Sequence, residues 1–204
     1  MIIERLLIES FGTNCYIVAD ETSREAVIID PGDDADKILK MVSELELKVK
    51  YIVLTHGHPD HVGAVADVKE ATEAELAMHP DDVVKLHSGP AGGGMFQHLR
   101  PVPEPDILLN DGDTVIVTGL ELKVIHTPGH SPGGICLFTD GVLFSGDTLF
   151  AASIGRSDFP GGDHDQLINS IKTRLLTLPD ETAVLPGHMD TTTIGREKQI
   201  NPFL

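Results

Sequence analysis

The order of elements along the chain predicts a mixed α/β (α+β) protein, two sheets of mixed strands each covered by helices. Three observations predict it. Short apolar runs of β type recur along the whole sequence. Amphipathic helical stretches fall between them rather than in one block. Both halves of the chain place a helix–strand unit directly before a Gly-His turn, which suggests a duplicated architecture.

Three strands are expected at the start, Ile2–Ser10, Asn14–Ala19 and Ala26–Asp30, with a turn at Gly12-Thr13 and Asp30-Pro31-Gly32 closing the third. Asp33 or Asp34 can cap a helix over Ala35–Leu45, whose Ile38, Leu39, Val42 and Leu45 share one face. Lys50–Thr55 reads as a buried strand, His61–Glu70 as a helix and Glu75–His79 as a strand. Ser88–Pro105, rich in Gly (92–94) and Pro, reads as a surface excursion because strands resume after it. Those strands are Thr114–Thr118, Glu121–His126, Ile135–Phe138 and Val142–Ser145, followed by a long loop over Phe150–Gly162. Asp163 and Gln166 form a capping pair for a helix at Gln166–Leu176. A last strand, Ala183–Leu185, and a short helix over Thr192–Gln199 complete the chain.

At 204 residues the chain fits one domain, 1–204, and its 41% hydrophobic content suffices for a core. A net charge of −17 argues against a nucleic-acid partner, since binding phosphates needs clustered Lys and Arg. If the substrate is an anion, bound metal ions would have to supply the positive field that this surface lacks. The two cysteines, Cys15 and Cys136, lie in apolar runs and read as small buried core residues. Met1-Ile-Ile-Glu-Arg5 reads as a strand rather than a leader, and no apolar stretch of about 18 residues is present to span a membrane. A soluble, reduced, cytoplasmic protein with no membrane partner is expected.

The most informative segment is Thr55-His-Gly-His-Pro-Asp-His61, directly after the apolar run Tyr51–Leu54. Imidazoles crowded in this way repel one another once protonated, and a cation relieves the crowding. In an extended segment His56 and His58 point to the same side and can share one ion, while Asp60 and His61 project from a helix start and can serve a second. Three further residues sit just past apolar strands: His130 in Thr127-Pro-Gly-His-Ser-Pro132, Asp147 in Ser145-Gly-Asp147, and His188 in Pro186-Gly-His188. Together these are seven N/O ligands and no Cys, which suits two divalent ions in sites open to water. Zn leads, with Fe or Mn as the other candidates.

These motifs, in this order, resemble the metallo-β-lactamase superfamily over the whole chain. Ser10-Phe-Gly-Thr-Asn-Cys-Tyr-Ile-Val18, Ile154-Gly-Arg-Ser-Asp-Phe-Pro-Gly-Gly-Asp-His164 and Asn201-Pro-Phe-Leu204 resemble its glyoxalase II branch, in particular the short single-domain hydroxyacylglutathione hydrolases. The resemblance implies a four-layer αββα sandwich with the metals at one edge of the paired sheets. It implies His56, His58 and His130 on the first ion, Asp60, His61 and His188 on the second, and Asp147 bridging. His126 is expected near the site as a supporting residue, and His79, His87 and His98 on the surface or in loops.

Two cations about 3.5–4 Å apart lower the pKa of a water held between them. The expected chemistry is attack by that hydroxide, held through Asp60 and Asp147, on the acyl carbon of a thioester such as S-lactoylglutathione. A thiolate, with a conjugate acid of pKa about 8.5, leaves without a dedicated proton donor, whereas an amide needs one. Arg156 is either a cation for a substrate carboxylate or a tie within its own loop to Asp158 or Asp163. Two departures stand out. Longer glyoxalase II enzymes continue past an Asn-Pro-Phe segment into a helical domain carrying basic glutathione-binding residues, and Met189-Asp190 replaces the small residue that often follows the last histidine. The rival readings are a mononuclear iron persulfide dioxygenase, which shares a Gly-Arg-x-Asp-Phe loop, and a hydrolase of another ester or lactone. Either a monomer or a homodimer fits.

Overall fold

The structure, a computed structural model, describes residues 1–87 and 100–204. The Gly-rich part of the excursion at 88–105, and His98 with it, lies outside the described residues; residues 100–105 are irregular.

The first sheet has six strands in sequence order: β1 (Ile2–Ile8), β2 (Thr13–Ala19), β3 (Glu25–Ile29), β4 (Lys48–Val53), β5 (Glu75–Met78) and β6 (Ile107–Leu108). Its first three strands pair antiparallel, and the pairings from β3 to β6 are parallel. The second sheet contains β7 (Thr114–Val117), β8 (Leu120–His126), β9 (Ile135–Thr139), β10 (Val142–Gly146), β13 (Ala183–Pro186) and β14 (Thr192–Thr193). Strands β7 to β10 form an antiparallel meander, β13 pairs parallel to β10, and β14 closes the edge antiparallel to β13. A small hairpin, β11 (Leu149–Phe150) with β12 (Ser153–Ile154), occupies part of the expected long loop. The two halves share a plan: an antiparallel run, a helical crossover, then a parallel strand, β4 or β13, that ends in a histidine-bearing turn.

Three apolar layers follow from the period-2 alternation of strands buried on both faces. Along β2, Cys15, Ile17 and Ala19 face outward into a layer with Ile38 of α1 (Ala35–Glu44) and with Val65 and Val68 of α3 (Val65–Thr72). Tyr16 and Val18 face the opposite way, into the inter-sheet layer with Leu122, Val124, Leu137 and Phe144. On the far side of the second sheet, Cys136 and Leu143 pack with Leu167 of α5 (His164–Ser170) and Ile194 of α6 (Ile194–Ile200). The order is helix, sheet, sheet, helix, the expected αββα sandwich. Both cysteines are free and buried within it, as their apolar settings implied. Among the described residues no helix is long and apolar enough to cross a membrane.

Several boundaries differ from expectation for local reasons. The helix expected at His61–Glu70 is two pieces, α2 (Pro59–Val62) and α3, because the Ala64 N–H leaves the helical ladder to bond the Pro31 carbonyl at 2.9 Å. Asp34 occupies the α1 cap position but makes no side-chain cap; its backbone is left-handed. Asp163 does cap α5, accepting from the Gln166 N–H, but after Ser170 the helix widens into a π turn over Ile171–Leu175. A 3₁₀ turn at Pro80–Asp82 and α4 (Val83–His87) were not foreseen.

Leu122 is fully buried between the sheets. Leu122→Ala should therefore destabilise the fold by about 2–5 kcal/mol, read as a lower urea midpoint with an unchanged slope.

Candidate metal centre

The site forms where β4, β8, β10 and β13 end on one edge of the sandwich. The β4 extension carries His56 and His58 and runs into α2, which starts at Pro59, a residue suited to a first helical position, and presents Asp60 and His61. The turn after β8 presents His130, the bend after β10 Asp147, and the turn after β13 His188. All seven sequence-selected residues come together. His56, His58 and His130 have ligand atoms within 4.8 Å of one another, and so do Asp60, His61 and His188. Asp147 stands between the two groups: its Oδ1 lies 3.5 Å from His61 Nε2, and its Oδ2 lies 3.6 Å from both His130 Nε2 and His188 Nε2.

Hydrogen bonds on the outer ring nitrogens decide which atoms face inward. His61 Nδ1 donates to Asp30 Oδ2 at 3.0 Å, His130 Nδ1 to the Arg156 carbonyl at 2.6 Å, and His188 Nδ1 to the Gly12 carbonyl at 3.0 Å. His56 Nδ1 lies 3.1 Å from Thr55 Oγ1, whose own proton goes to Asp30 Oδ2 at 2.6 Å. Each of these four imidazoles thus turns Nδ1 outward to a protein partner and Nε2 inward. His58 presents Nδ1, only 2.9 Å from His130 Nε2.

The donor set fits metal ions. Among the described residues, the buried atoms His56 Nε2, His61 Nε2 and Asp147 Oδ1 have no hydrogen-bond partner, although each such atom costs about 1–3 kcal/mol when left unpaired. Neighbouring ligands on a tetrahedral ion with bonds of about 2.0–2.1 Å stand about 3.4 Å apart, close to several of the separations here.

The two groups differ in charge. Burial, then the neighbouring imidazoles, drives His56 well below its usual range. Burial and His130 bring His58 down to about 4, and burial lowers His130 too. The first group is three neutral imidazoles. In the second, burial pulls His61 down, but Asp147, Asp30 and Asp60 outweigh it and push the ring up to about 10. His188 is likewise raised despite burial, by its bond to Asp60 and the charge of Asp147. Burial pushes Asp60 up, yet the His188 hydrogen bond and the charge of His61 hold it below the ordinary carboxylate range. Here a proton occupies a position that a cation would take over.

Some residues escaped sequence reasoning. Asp30 was read as a turn residue, yet it is buried, holds a left-handed backbone (φ 51°), and joins His61 to Thr55 and so to His56. It ends an apolar strand, the same signal that singled out Asp147. Asn14 staples the last turn, its Nδ2 donating at 2.9 Å to the carbonyls of both Pro186 and Met189.

Arg156 behaves as the loop tie: Nε and Nη2 bond Asp158 at 3.0 and 2.8 Å, and the guanidinium lies 4.3 Å over Phe159, whose ring edges onto His58. His79, expected at the surface or in a loop, lies in the connection after β5 but is buried, its ring stacked on His126 at 4.0 Å. These two rings and Asp81 make a further cluster, but planes only 11° apart keep their in-plane lone pairs in separate parallel planes, not on one ion. His126 supports the His130 turn by donating to the Pro132 carbonyl at 2.9 Å.

Two adjoining N/O ligand groups at the edge of an αββα sandwich define a metal-dependent hydrolase. The model of the metallo-beta-lactamase superfamily matches residues 9–188, and the chain belongs to that superfamily. It is 38% identical to the hydroxyacylglutathione hydrolase GloC of Haemophilus influenzae, over 100% of this chain and 98% of that protein. The crystal structure of the B3 metallo-beta-lactamase BLEG-1 superposes with a TM-score of 0.90 at 36% identity, covering 100% of this chain and 99% of that one. TTHA1623 in a di-iron-bound form superposes with a TM-score of 0.85 at 39% identity, covering all of both chains.

Gly187 permits a close approach to two ligand side chains: a Cβ there would lie 2.4 Å from Asp147 Oδ1 and 2.8 Å from His61 Cε1. Gly187→Ala should displace both side chains. Metal analysis of the variant, refolded with excess Zn²⁺, is expected to give fewer than two ions per chain while far-UV circular dichroism stays unchanged.

Proposed function

We propose that this protein is a binuclear metallohydrolase that cleaves a thioester such as S-lactoylglutathione. The observation that carries the reading is the completeness of both ligand groups around one shared carboxylate, Asp147. His56, His58 and His130 would hold one ion, Asp60, His61 and His188 the other, and Asp147 would touch both. When bound, such a pair polarises the acyl carbonyl and lowers the pKa of the attacking water toward neutrality.

The chain's own residues do the positioning. Asp60 is fixed by His188 Nε2 at 3.2 Å and Thr13 Oγ1 at 3.4 Å, and its depressed pKa keeps it an anion at neutral pH. Phe159, partly exposed beside His58, offers an apolar wall to the reacting group. The thioester is favoured because a thiolate departs without a proton donor. The 38% identity to a protein named a hydroxyacylglutathione hydrolase, over nearly the full length of both, supports the same substrate class. Arg156 is a poor candidate for the substrate carboxylate while both of its bonds go to Asp158.

The test is the rate of S-lactoylglutathione hydrolysis by protein of known metal content. The wild type should turn over, and Asp60→Asn should lose several orders of magnitude in kcat/KM with the fold intact. Unchanged turnover in that variant overturns the two-metal scheme. A two-metal protein inert toward this thioester would redirect the substrate to another ester or lactone. A single iron with oxygen uptake on glutathione persulfide would establish the dioxygenase instead.

A further inference from the structure

We propose that Asp82 is a positioning residue for the first ligand group, a buried clamp that sets the spacing between the His56–His58 turn and the His130 turn. The proposal rests on the reading that His56, His58 and His130 hold one ion.

Asp82 closes the 3₁₀ turn after β5, and its side chain is fully buried. Its two carboxyl oxygens are divided between the two ligand turns. Oδ2 accepts the N–H of Gly57, the residue between His56 and His58, at 2.9 Å. Oδ1 accepts the N–H of Gly133, three residues past His130, at 2.7 Å. Asp82 thus bonds the peptide groups that carry the ligands.

The neighbouring glycines make the same point from the opposite side. A Cβ on Gly57 would lie 2.9 Å from the Asp82 carbonyl oxygen and 2.9 Å from Lys85 Cβ. A Cβ on Gly133 would lie 2.6 Å from the Asp82 amide nitrogen and 2.8 Å from its Cβ. Two of these four contacts are backbone and the other two are Cβ atoms fixed directly to it, so none can swing aside. Both turns therefore lack a side chain at the point where Asp82 approaches, so that one carboxyl can reach both amides. On the other flank, the Ile135 N–H donates to the Thr55 carbonyl at 2.9 Å, a second tie between the same two segments. Between these ties His58 Nδ1 and His130 Nε2 stand 2.9 Å apart. The second group is built on α2, β10 and β13, and the turn carrying His188 is fastened by Asn14. Loss of the clamp should therefore fall on one ion and spare the other.

Asp82→Asn tests this. The amide keeps the volume but has one acceptor oxygen, so one of the two N–H groups faces an NH₂. Outer partners of ligand residues typically contribute 10–100-fold to metal affinity. On chelator-stripped protein titrated with Zn²⁺ against a chromophoric chelator, the variant is expected to lose about 10–100-fold on one equivalent and nothing on the other. In a His58→Ala background, which already lacks the first site, Asp82→Asn should add no further loss. Two equivalents of wild-type affinity would overturn the clamp. So would equal weakening of both, or a further loss in the His58→Ala background, since either makes Asp82 a general stability element.

Hydrogen exchange of the wild-type, metal-free protein covers the case in which the variant does not fold. The clamp requires slow exchange at the Gly57 and Gly133 amides, and fast exchange there overturns it. A wild type binding fewer than two equivalents would count against the two-metal reading instead, and the amide exchange, which needs no metal, would still decide the clamp.

Discussion

Everything at the working edge of this protein depends on one constraint: five imidazoles and two carboxylates must converge in a volume where they repel or strand one another unless a cation lies among them. Rings as close as 4.2 Å between centroids, with His56 Nε2, His61 Nε2 and Asp147 Oδ1 buried and unpaired, are not a self-satisfied polar cluster. The rest of the structure resists that crowding. Four strand ends from two sheets supply the ligands, and the inter-sheet layer around Leu122, Val124 and Phe144 holds those ends in register. Two sheets are needed because one strand edge cannot aim groups at an ion from opposite sides. The shared plan of the halves, each ending a parallel strand in a histidine turn, gives the site its two-sided form.

The outer partners matter as much as the ligands. Asp30, Thr55, Gly12 and Arg156 receive the ring protons, most through carboxylate or carbonyl oxygens, and so fix which nitrogen faces inward. Asp30 is the most consequential, since it reaches both groups: His61 directly and His56 through Thr55. Its left-handed backbone is a cost borne at a site the surrounding bonds over-determine. The charge difference between the groups follows from the same placements. Neutral imidazoles on one side and carboxylate-flanked histidines on the other give two unlike environments for two ions.

A chain with net charge −17 and an inward-facing centre rich in nitrogen divide the electrostatic work. Arg156, Arg5 and Lys85 are each engaged locally, Arg156 on Asp158, Arg5 on Asp190 and Lys85 on the Pro160 carbonyl. An anionic substrate would therefore be attracted by bound metal rather than by a basic rim.

Much of this was legible in one dimension. The strand runs, two sheets each covered by helices, and the gathering of the seven residues followed from hydrophobic alternation and from polar ligands placed just past apolar strands, while the four-layer αββα order was implied by the family resemblance. The Asp163 cap was legible because capping is local chemistry. The split between α2 and α3 was not, because it depends on a bond from Ala64 to Pro31 across the turn. The burial of His79 depended on a partner 47 positions away, and the roles of Asp30, Asn14 and Asp82 on which backbone groups lie beside them after folding. The sequence by itself determined which atoms could bind metal and on which strands they stand, since those are properties of residue type and periodicity. Only the tertiary structure decided which nitrogen of each ring faces inward and which acidic residues hold the frame, because hydrogen bonds between distant segments exist only after the two sheets have packed.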